Sequence, residues 1–438
     1  MIAVVIGGVT LAVWLVLIFA RGGFWLARER DTRGVPPMPD VWPEVVAVVP
    51  ARDEAALISE SIGSLLAQDY PGQFRVILVD DGSSDGTGEI AQGLCASSSP
   101  SPSGVAGEPC PAGFRSGRGP DRPAAGLGVG RLNLIETDVH EDRPHPNPSP
   151  EGEGLKNSPV ELDVLRAAPL ASGWTGKLAA VAQGVAHAGD APRYLWLTDA
   201  DITHVPDTLR SLVARAEGRG LVLVSLMAKL RCESMAERGL IPAFVFFFQL
   251  LYPFAWVNRP NGVGAAAGGC MLVRREALAA AGGIAAIRTA LIDDCALGAA
   301  LKRQGPIWLG LTERSRSIRP YETLGAIAAM ISRSAYAQLG YNPLMLFATL
   351  IGLALVYGAP PLLTLFGHGW AQWLGGAAWV LMALSFQPML SFYRRPWGWG
   401  MSLPGIAAFY AGCTLLSAWQ HHRGRGGMWK GRAQAAVK

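Results

Sequence analysis

Charge is scarce in this chain. Acidic and basic residues make up 16% of its 438 positions, while half of all residues are apolar, a lean supply of charge for a soluble protein. The net charge is only +4, and no basic run is interleaved with aromatics, so nucleic acid is not expected as a partner. Cysteine is sparse as well. Cys95, Cys110, Cys232, Cys270, Cys295 and Cys413 stand singly with no CxxC pair, which argues against a zinc site or a disulfide framework and leaves reduced, buried thiols.

In place of charge the chain carries long apolar runs. Residues 2–20, IAVVIGGVTLAVWLVLIFA, hold no charge and are about long enough to cross a bilayer. The arginine cluster that follows should stay cytoplasmic, so residues 1–21 are expected to be an anchor with its N-terminus outside. Three more runs lie at 344–366, 371–392 and 402–419, within an expected membrane region 344–420. Simple alternation then places the basic tail 421–438 outside, against the positive-inside rule. Either the last segment is re-entrant or one span is miscounted. The run 240–257 is also long enough, but it holds Pro242, Gln249 and Pro253. It separates motifs that would have to share one site, so it is expected to lie in the membrane interface.

Between the anchors, residues 44–340 alternate strand and helix patterns. EVVAVV, FRVILV, RLNLIET, YLWLTDAD, LVLVSL and IWLGL read as strands. EAALISESIGSLLAQ and GKLAAVAQGVAHA have helical spacing, and another helix opens at Pro206. This order predicts an α/β domain with a largely parallel sheet, which binds ligands beyond the carboxyl ends of its strands. Residues 96–130 and 141–159 are rich in Pro, Gly and Ser, so flexible insertions are expected over 96–130 and 141–170.

Acidic pairs recur at the strand ends and helix starts. Asp199 and Asp201 in LTDADI follow a strand run, and in extended backbone both carboxylates point the same way. Two such donors suit Mg²⁺ or Mn²⁺ with room left for a substrate diphosphate. Asp80-Asp81 in VDDGSSDGT reads either as a turn with Gly82 at positive φ or as an acceptor for a base or ribose. Asp293-Asp294 reads either as a helix cap or as a general base, held ionised with a low pKa by the helix N-terminus. Lys177, at a glycine-flanked helix start, reads as a surface lysine or as part of an anion site. It is not a Walker A loop. His204 after DADIT is expected to be a polar helix-start residue rather than a metal ligand.

Taken in order, VVPARDE, VILVDDGSSDGT, WTGKLAA, LTDADI, GGCMLVRREAL and LIDDCALGAALKRQG resemble membrane-bound family 2 glycosyltransferases. The tail WKGR and the segment RPYETL…ISRSAYAQLGY are most similar to the hopanoid-biosynthesis-associated subgroup. The resemblance covers about residues 45–340 outside the insertions. It implies a GT-A fold (a Rossmann-like, mostly parallel sheet) flanked by transmembrane helices, a nucleotide-sugar donor and a divalent cation, Mg²⁺ or Mn²⁺. It places Pro50, Asp53, Glu54, Asp80 and Asp81 around the nucleotide, and Asp199 and Asp201 at the metal and diphosphate. Gly268, Gly269 and Cys270 would border the donor sugar and acceptor. Asp294 would be the base, beside Asp293 in place of the family's usual Glu.

Processive members carry Gln-x-x-Arg-Trp, whereas here Arg333 has no Trp after it. That argues against a polymer-extruding synthase and leaves Arg333 as a candidate diphosphate contact. The expected activity is inverting transfer of one sugar to a lipid acceptor, a hopanoid or other polyisoprenoid. The expected setting is a bacterial-type inner membrane, crossed more than once, with the catalytic domain cytoplasmic. The rivals are a processive polysaccharide synthase and a non-catalytic nucleotide-binding scaffold.

Overall fold

The computed structural model describes residues 1–98, 160–429 and 432–433. The expected insertion at 96–130, the strand RLNLIET, most of the second insertion and the end of the tail lie wholly or largely outside the described residues.

Helix α1 (Ile2–Ala20) leads into strand β1 (Val45–Ala51), every residue of which is buried. There follow α2 (Ile58–Leu66), β2 (Phe74–Asp80), α3 (Thr87–Ser98), β3 (Glu161–Arg166), α4 (Gly176–His187), β4 (Tyr194–Leu197), β5 (Ile202–His204), α5 (Thr208–Arg219) and β6 (Leu223–Lys229). Strands β7 (Met271–Arg274) and β8 (Ile307–Ser317) complete an eight-stranded sheet of order β3-β2-β1-β4-β7-β6-β8-β5. Strand β1 pairs in parallel with both β2 and β4, and β2 with β3. Its side chains alternate faces, as a strand must. Val46 and Val48 meet α4 on one face, while Val45, Ala47 and Val49 meet α2 and α5 on the other. Gly184 lets α4 approach, since a Cβ there would stand 2.5 Å from Val48.

The sheet departs from the expected parallel pattern in three places. Strand β7 runs antiparallel between β4 and β6, and β5 runs antiparallel to β8. Both are short, at 4 and 3 residues, too brief to show a period of their own. The stretch expected to be an insertion over 141–170 contains the edge strand β3. Its charged ends, Glu161 and Arg166, are exposed, so the strand carries the polar composition that disguised it. Helix α5 starts at Thr208, just past Pro206.

The remaining helices are α6 (Met235–Leu251), α7 (Phe254–Val257), α8 (Arg275–Ala280), α9 (Asp293–Lys302), α10 (Leu324–Ser332), α11 (Ala335–Gln338), α12 (Pro343–Leu353), α13 (Ala359–Phe366), α14 (Trp370–Phe392) and α15 (Leu403–His422). Among the described residues, five helical segments are long and apolar enough to cross a membrane. Leu344, Phe347, Leu365, Trp373 and Leu384 face outward, as lipid-facing side chains do. In the run 240–257, by contrast, Ile241, Ala243, Val245 and Phe246 are fully buried. Phe246 packs 5.3 Å from Phe24 and 5.2 Å from Phe386, and Phe247 packs 4.9 Å from Tyr410. Helix α6 therefore joins the sheet domain to the apolar helices.

A π-helical turn, Ala354–Gly358, separates α12 from α13. Pro360 has no N–H to give the carbonyl of Val356. Trp14 Nε1 donates to that carbonyl at 2.9 Å, and Thr10 Oγ1 donates to Leu355 O at 3.1 Å. Helix α1 thus satisfies backbone groups that lipid cannot.

After α14 the chain turns at Arg394, whose φ is 55°, and runs back beside the helix it has just left. Gln387 Nε2 donates to Trp397 O at 2.9 Å, and Trp379 Nε1 donates to Met401 O at 3.1 Å. As the chain advances from 397 to 401, its partner on α14 moves back from 387 to 379. Helix α15 then returns. Ser417 Oγ accepts from Tyr336 N at 3.0 Å, and His421 stacks on Tyr341 at 4.2 Å. At the other end of the segment, Lys229 of β6 lies over the Tyr393 ring at 5.7 Å. Tyr393 thus lies beside β6, and the end of α15 lies beside α11 and Tyr341.

Candidate active site

The acids sit beyond the carboxyl ends of the central strands. From β1 the chain continues through Arg52, Asp53 and Glu54. Asp53 takes a left-handed φ of 49°, which Asp tolerates better than most residues. That turn sends consecutive carboxylates in different directions. Asp53 Oδ1 accepts from Ser84 N at 2.8 Å, tying down the loop after β2. Glu54 instead lines a cavity of about 430 Å³. Pro50, Lys177, Asp199, Asp201, Asp293 and Arg333 line the same cavity, so the structure brings these sequence-derived candidates together.

Lys177 lies in the first turn of α4, which Thr175 caps by accepting from Leu178 N. Its Nζ stands 2.8 Å from Asp199 Oδ1 and 3.1 Å from Asp293 Oδ2. Burial would lower its pKa, but Asp199 and Asp293 outweigh that and hold it protonated, well above the usual lysine range. The ammonium thus ties the end of β4 to the start of α9.

Asp294 is next to the cavity-lining Asp293 but is not itself among the lining residues. Gly268 N donates to its Oδ2 at 3.0 Å, and Cys295 N donates to its Oδ1 at 2.7 Å. A Cβ on Gly268 would stand 3.6 Å from both Asp294 Oδ2 and Lys177 Nζ, so the three groups share one corner. The low pKa expected from the helix N-terminus does not hold. Burial, then the neighbouring Asp293, push Asp294 up to about 6, against the opposing pull of Lys177 and the two backbone N–H groups.

Other candidates serve the frame of the site. Asp80 Oδ1 accepts from Ser83 N at 3.0 Å, and Gly82 has φ +65°, so this acid organises the turn rather than lining the cavity. Asp81 pairs at 3.4 Å with Arg52, which does line it. The Gly269 carbonyl accepts from Thr198 Oγ1 at 2.8 Å. Cys270 is a correction: it is wholly buried in the core on the other face of the sheet, and its sulfur accepts from Trp196 Nε1 at 3.3 Å. Burial pushes its thiol up to about 12. His204 is also structural. It lies on β5 between Thr198 and Ser315, each at 2.9 Å, and burial pushes its imidazole down to about 3.

Arg319, Tyr321, Arg52 and Thr175 line the cavity without having been singled out from the sequence. So do Ala326, Ala329 and Met330 on one face of α10. Arg319 Nε donates to Asp201 Oδ2 at 2.7 Å, and its Nη2 donates to Glu54 Oε1. Burial opposes its charge, but Asp201 and Glu54 outweigh it and raise its pKa above the ordinary arginine value.

Asp199 and Asp201 each engage an internal cation through one oxygen, Oδ1 and Oδ2 respectively. Among the described residues, no group of three or more His, Cys, Asp or Glu is placed to hold a metal. Two carboxylates fit a hard cation that keeps waters and substrate phosphate oxygens as its other ligands, the usual habit of Mg²⁺.

A mixed sheet with an acid-lined cavity beyond its strand ends is a GT-A glycosyltransferase fold. A mannosyltransferase from Pyrobaculum calidifontis, solved with GDP-Man and Mn²⁺, is similar over 95% of this chain and 99% of its own, at 15% identity and a TM-score of 0.50. The chain belongs to glycosyl transferase family 21, whose family model matches residues 164–432. Residues 46–106 match glycosyl transferase family 2. An N-acetylglucosaminyltransferase of Mesorhizobium japonicum is 40% identical over 55 residues, 12% of this chain, and the chain spans only 13% of that relative's length.

Proposed function

We propose that this glycosyltransferase moves a single sugar, with inversion, from a nucleotide-sugar donor to a lipid hydroxyl at the surface of a bacterial inner membrane. Its catalytic domain faces the cytoplasm. The observation that carries the reading is helix α10. One face lines the acid-ringed cavity with Ala326, Ala329 and Met330, and the helix packs against the apolar helix α15. A soluble acceptor would need no such apolar wall beside the reacting groups. A hopanoid or other polyisoprenoid alcohol has the chemistry to use it.

In this reading Lys177 and Arg333 face the diphosphate and offset charge on the departing nucleotide. A divalent cation between Asp199 and Asp201 supplies Lewis-acid stabilisation of the same oxygens when bound. The solved mannosyltransferase holds its sugar nucleotide with Mn²⁺ on this fold, which supports the choice of cation class. Asp294 accepts the proton of the acceptor hydroxyl as its oxygen attacks the anomeric carbon. Lys177 holds the neighbouring Asp293 in place.

The test is a panel of radiolabelled nucleotide sugars, with Mg²⁺ or Mn²⁺, incubated with purified protein and a bacterial lipid extract. Label should move into the organic phase as a product bearing one sugar. Label confined to free sugar or to a polymer would overturn the lipid acceptor, and no donor consumption at all would overturn the transfer reading.

A further inference from the structure

The two carboxylates that would hold a cation are each already engaged by a cation built into the chain. Lys177 engages Asp199, and Arg319 engages Asp201 while also reaching Glu54. The Arg319 engagement is held from both sides along the backbone. Ile318 N donates to Asp201 O at 2.9 Å. Tyr321 N donates at 2.7 Å to Glu237 Oε1, a carboxylate with no solvent exposure in the capping box that starts α6. The backbone of segment 318–321 is thus pinned at both ends, and the Arg319 side chain reaches from it into the cavity. That side chain is about a quarter exposed and lines the cavity together with Arg333.

A divalent cation arriving alone at Asp201 would meet the Arg319 guanidinium on the same carboxylate, and like charges that close repel strongly. A nucleoside diphosphate changes the balance, because a guanidinium binds phosphate oxygens at least as well as it binds a carboxylate. We propose that Arg319 is an exchangeable counter-ion. Without nucleotide it neutralises Asp201 and Glu54 and holds off the divalent cation. When the diphosphate enters, its side chain turns to a phosphate oxygen and frees the Asp201 oxygen for the metal. No covalent bond changes. The cation and the donor therefore bind cooperatively, and Arg319 positions both. This inference rests on the nucleotide-sugar reading given above.

Binding of Mn²⁺ can be followed by the loss of its free paramagnetic signal, with no turnover needed. Without nucleotide, Arg319→Gln should bind Mn²⁺ about tenfold more tightly than the unaltered protein, roughly the factor one charged hydrogen bond is worth. Addition of UDP or GDP should tighten Mn²⁺ binding in the unaltered protein and close most of that gap. Arg319→Lys keeps the charge with a single donor and should fall between the two. It carries the comparison if the Gln variant does not fold. Equal Mn²⁺ affinity in all three proteins without nucleotide, with tight binding in each, overturns the exchange but leaves the cation site standing. Absence of Mn²⁺ binding in all three, with or without either nucleotide, overturns the exchange and the cation together.

Discussion

The backbone N–H of Gly268 donates to Asp294 Oδ2 at 3.0 Å, which joins the glycine segment before β7 to the first turn of α9. The carboxylate accepts a second N–H, from Cys295, at 2.7 Å on its other oxygen. Asn in its place would turn an NH₂ toward one of these donors. Asp294→Asn should lower turnover by about 10²- to 10⁴-fold, the range for loss of a general base, while nucleotide binding survives. Asp293→Asn, which alters a cavity-lining acid tied to Lys177, should cost less. If Asp293→Asn abolishes transfer and Asp294→Asn does not, the base is Asp293.

The pH profile gives an independent check on the same group. Burial raises Asp294 from its model-peptide value of 3.8 to about 6. A base must be deprotonated, so kcat/KM should fall as pH drops below about 6 and level off above it. The sign for stability is opposite to that of an ordinary paired carboxylate. With its folded pKa raised, the ionised form is disfavoured in the native state, so this group's stabilisation is complete below 3.8 and is lost as pH rises from there through about 6. A kcat/KM profile that shows no break near 6, or one that breaks near 4, would sink the assignment of the base to this buried carboxylate.

Lys177 is the only side chain among the described contacts that touches both Asp199 and Asp293. Lys177→Met would leave the two acids facing one another across the cavity without their shared cation. Turnover should drop by about 10²- to 10³-fold, as when one stabilising donor is removed from a developing anion. Lys177→Arg should restore part of it, because the charge returns with a different reach. The measurement is kcat and donor KM for both variants. Unchanged kcat in Lys177→Met would place the ammonium outside the reaction.

Trp14 and Pro360 are linked through the carbonyl of Val356. Trp14→Phe keeps a large apolar ring but leaves that carbonyl without its donor in an apolar surrounding. The expected loss is about 1–3 kcal/mol, seen as a lower melting temperature of the detergent-solubilised protein. Leu15→Phe, on an outward-facing position of the same helix, is the comparison and should change little. Equal melting temperatures for all three would show that α1 and the π-helical turn are not coupled in this way.

Much of the domain was legible because its signals are local. Val45–Ala51 is a continuous apolar run ending in acids, and Asp199-Ala200-Asp201 follows a strand of four residues. Lys177 was marked by its place at a helix start. Arg319 carried no such mark: its partners Glu54 and Asp201 lie 265 and 118 residues away, so only the fold brings them together. Asp53 and Glu54 read as one motif, and the positive φ at Asp53 splits their roles. The pKa of Asp294 was misjudged because helix position is visible in sequence and burial is not. Cys270 follows two site glycines in sequence, yet its side chain is buried in the core on the other face of the sheet.

Length and apolarity alone do not distinguish a span from a helix that enters and leaves on one side, so the sequence left both readings open for residues 402–419. The contacts Trp397–Gln387 and Met401–Trp379 run residues 397–401 back along α14, and His421–Tyr341 sets the end of α15 close to α11. They predict that the basic residues after α15, Arg423 and Arg425, lie on the same side of the membrane as the catalytic domain, which also satisfies the positive-inside rule. Arg425→Cys in the tail and Asp190→Cys, at a fully exposed position of the domain, can be compared with a membrane-impermeant maleimide after the native thiols are replaced. In inverted vesicles both should label, and in right-side-out spheroplasts neither should. Labelling of the tail cysteine in spheroplasts, with the domain cysteine protected, would mean that α15 crosses the bilayer after all.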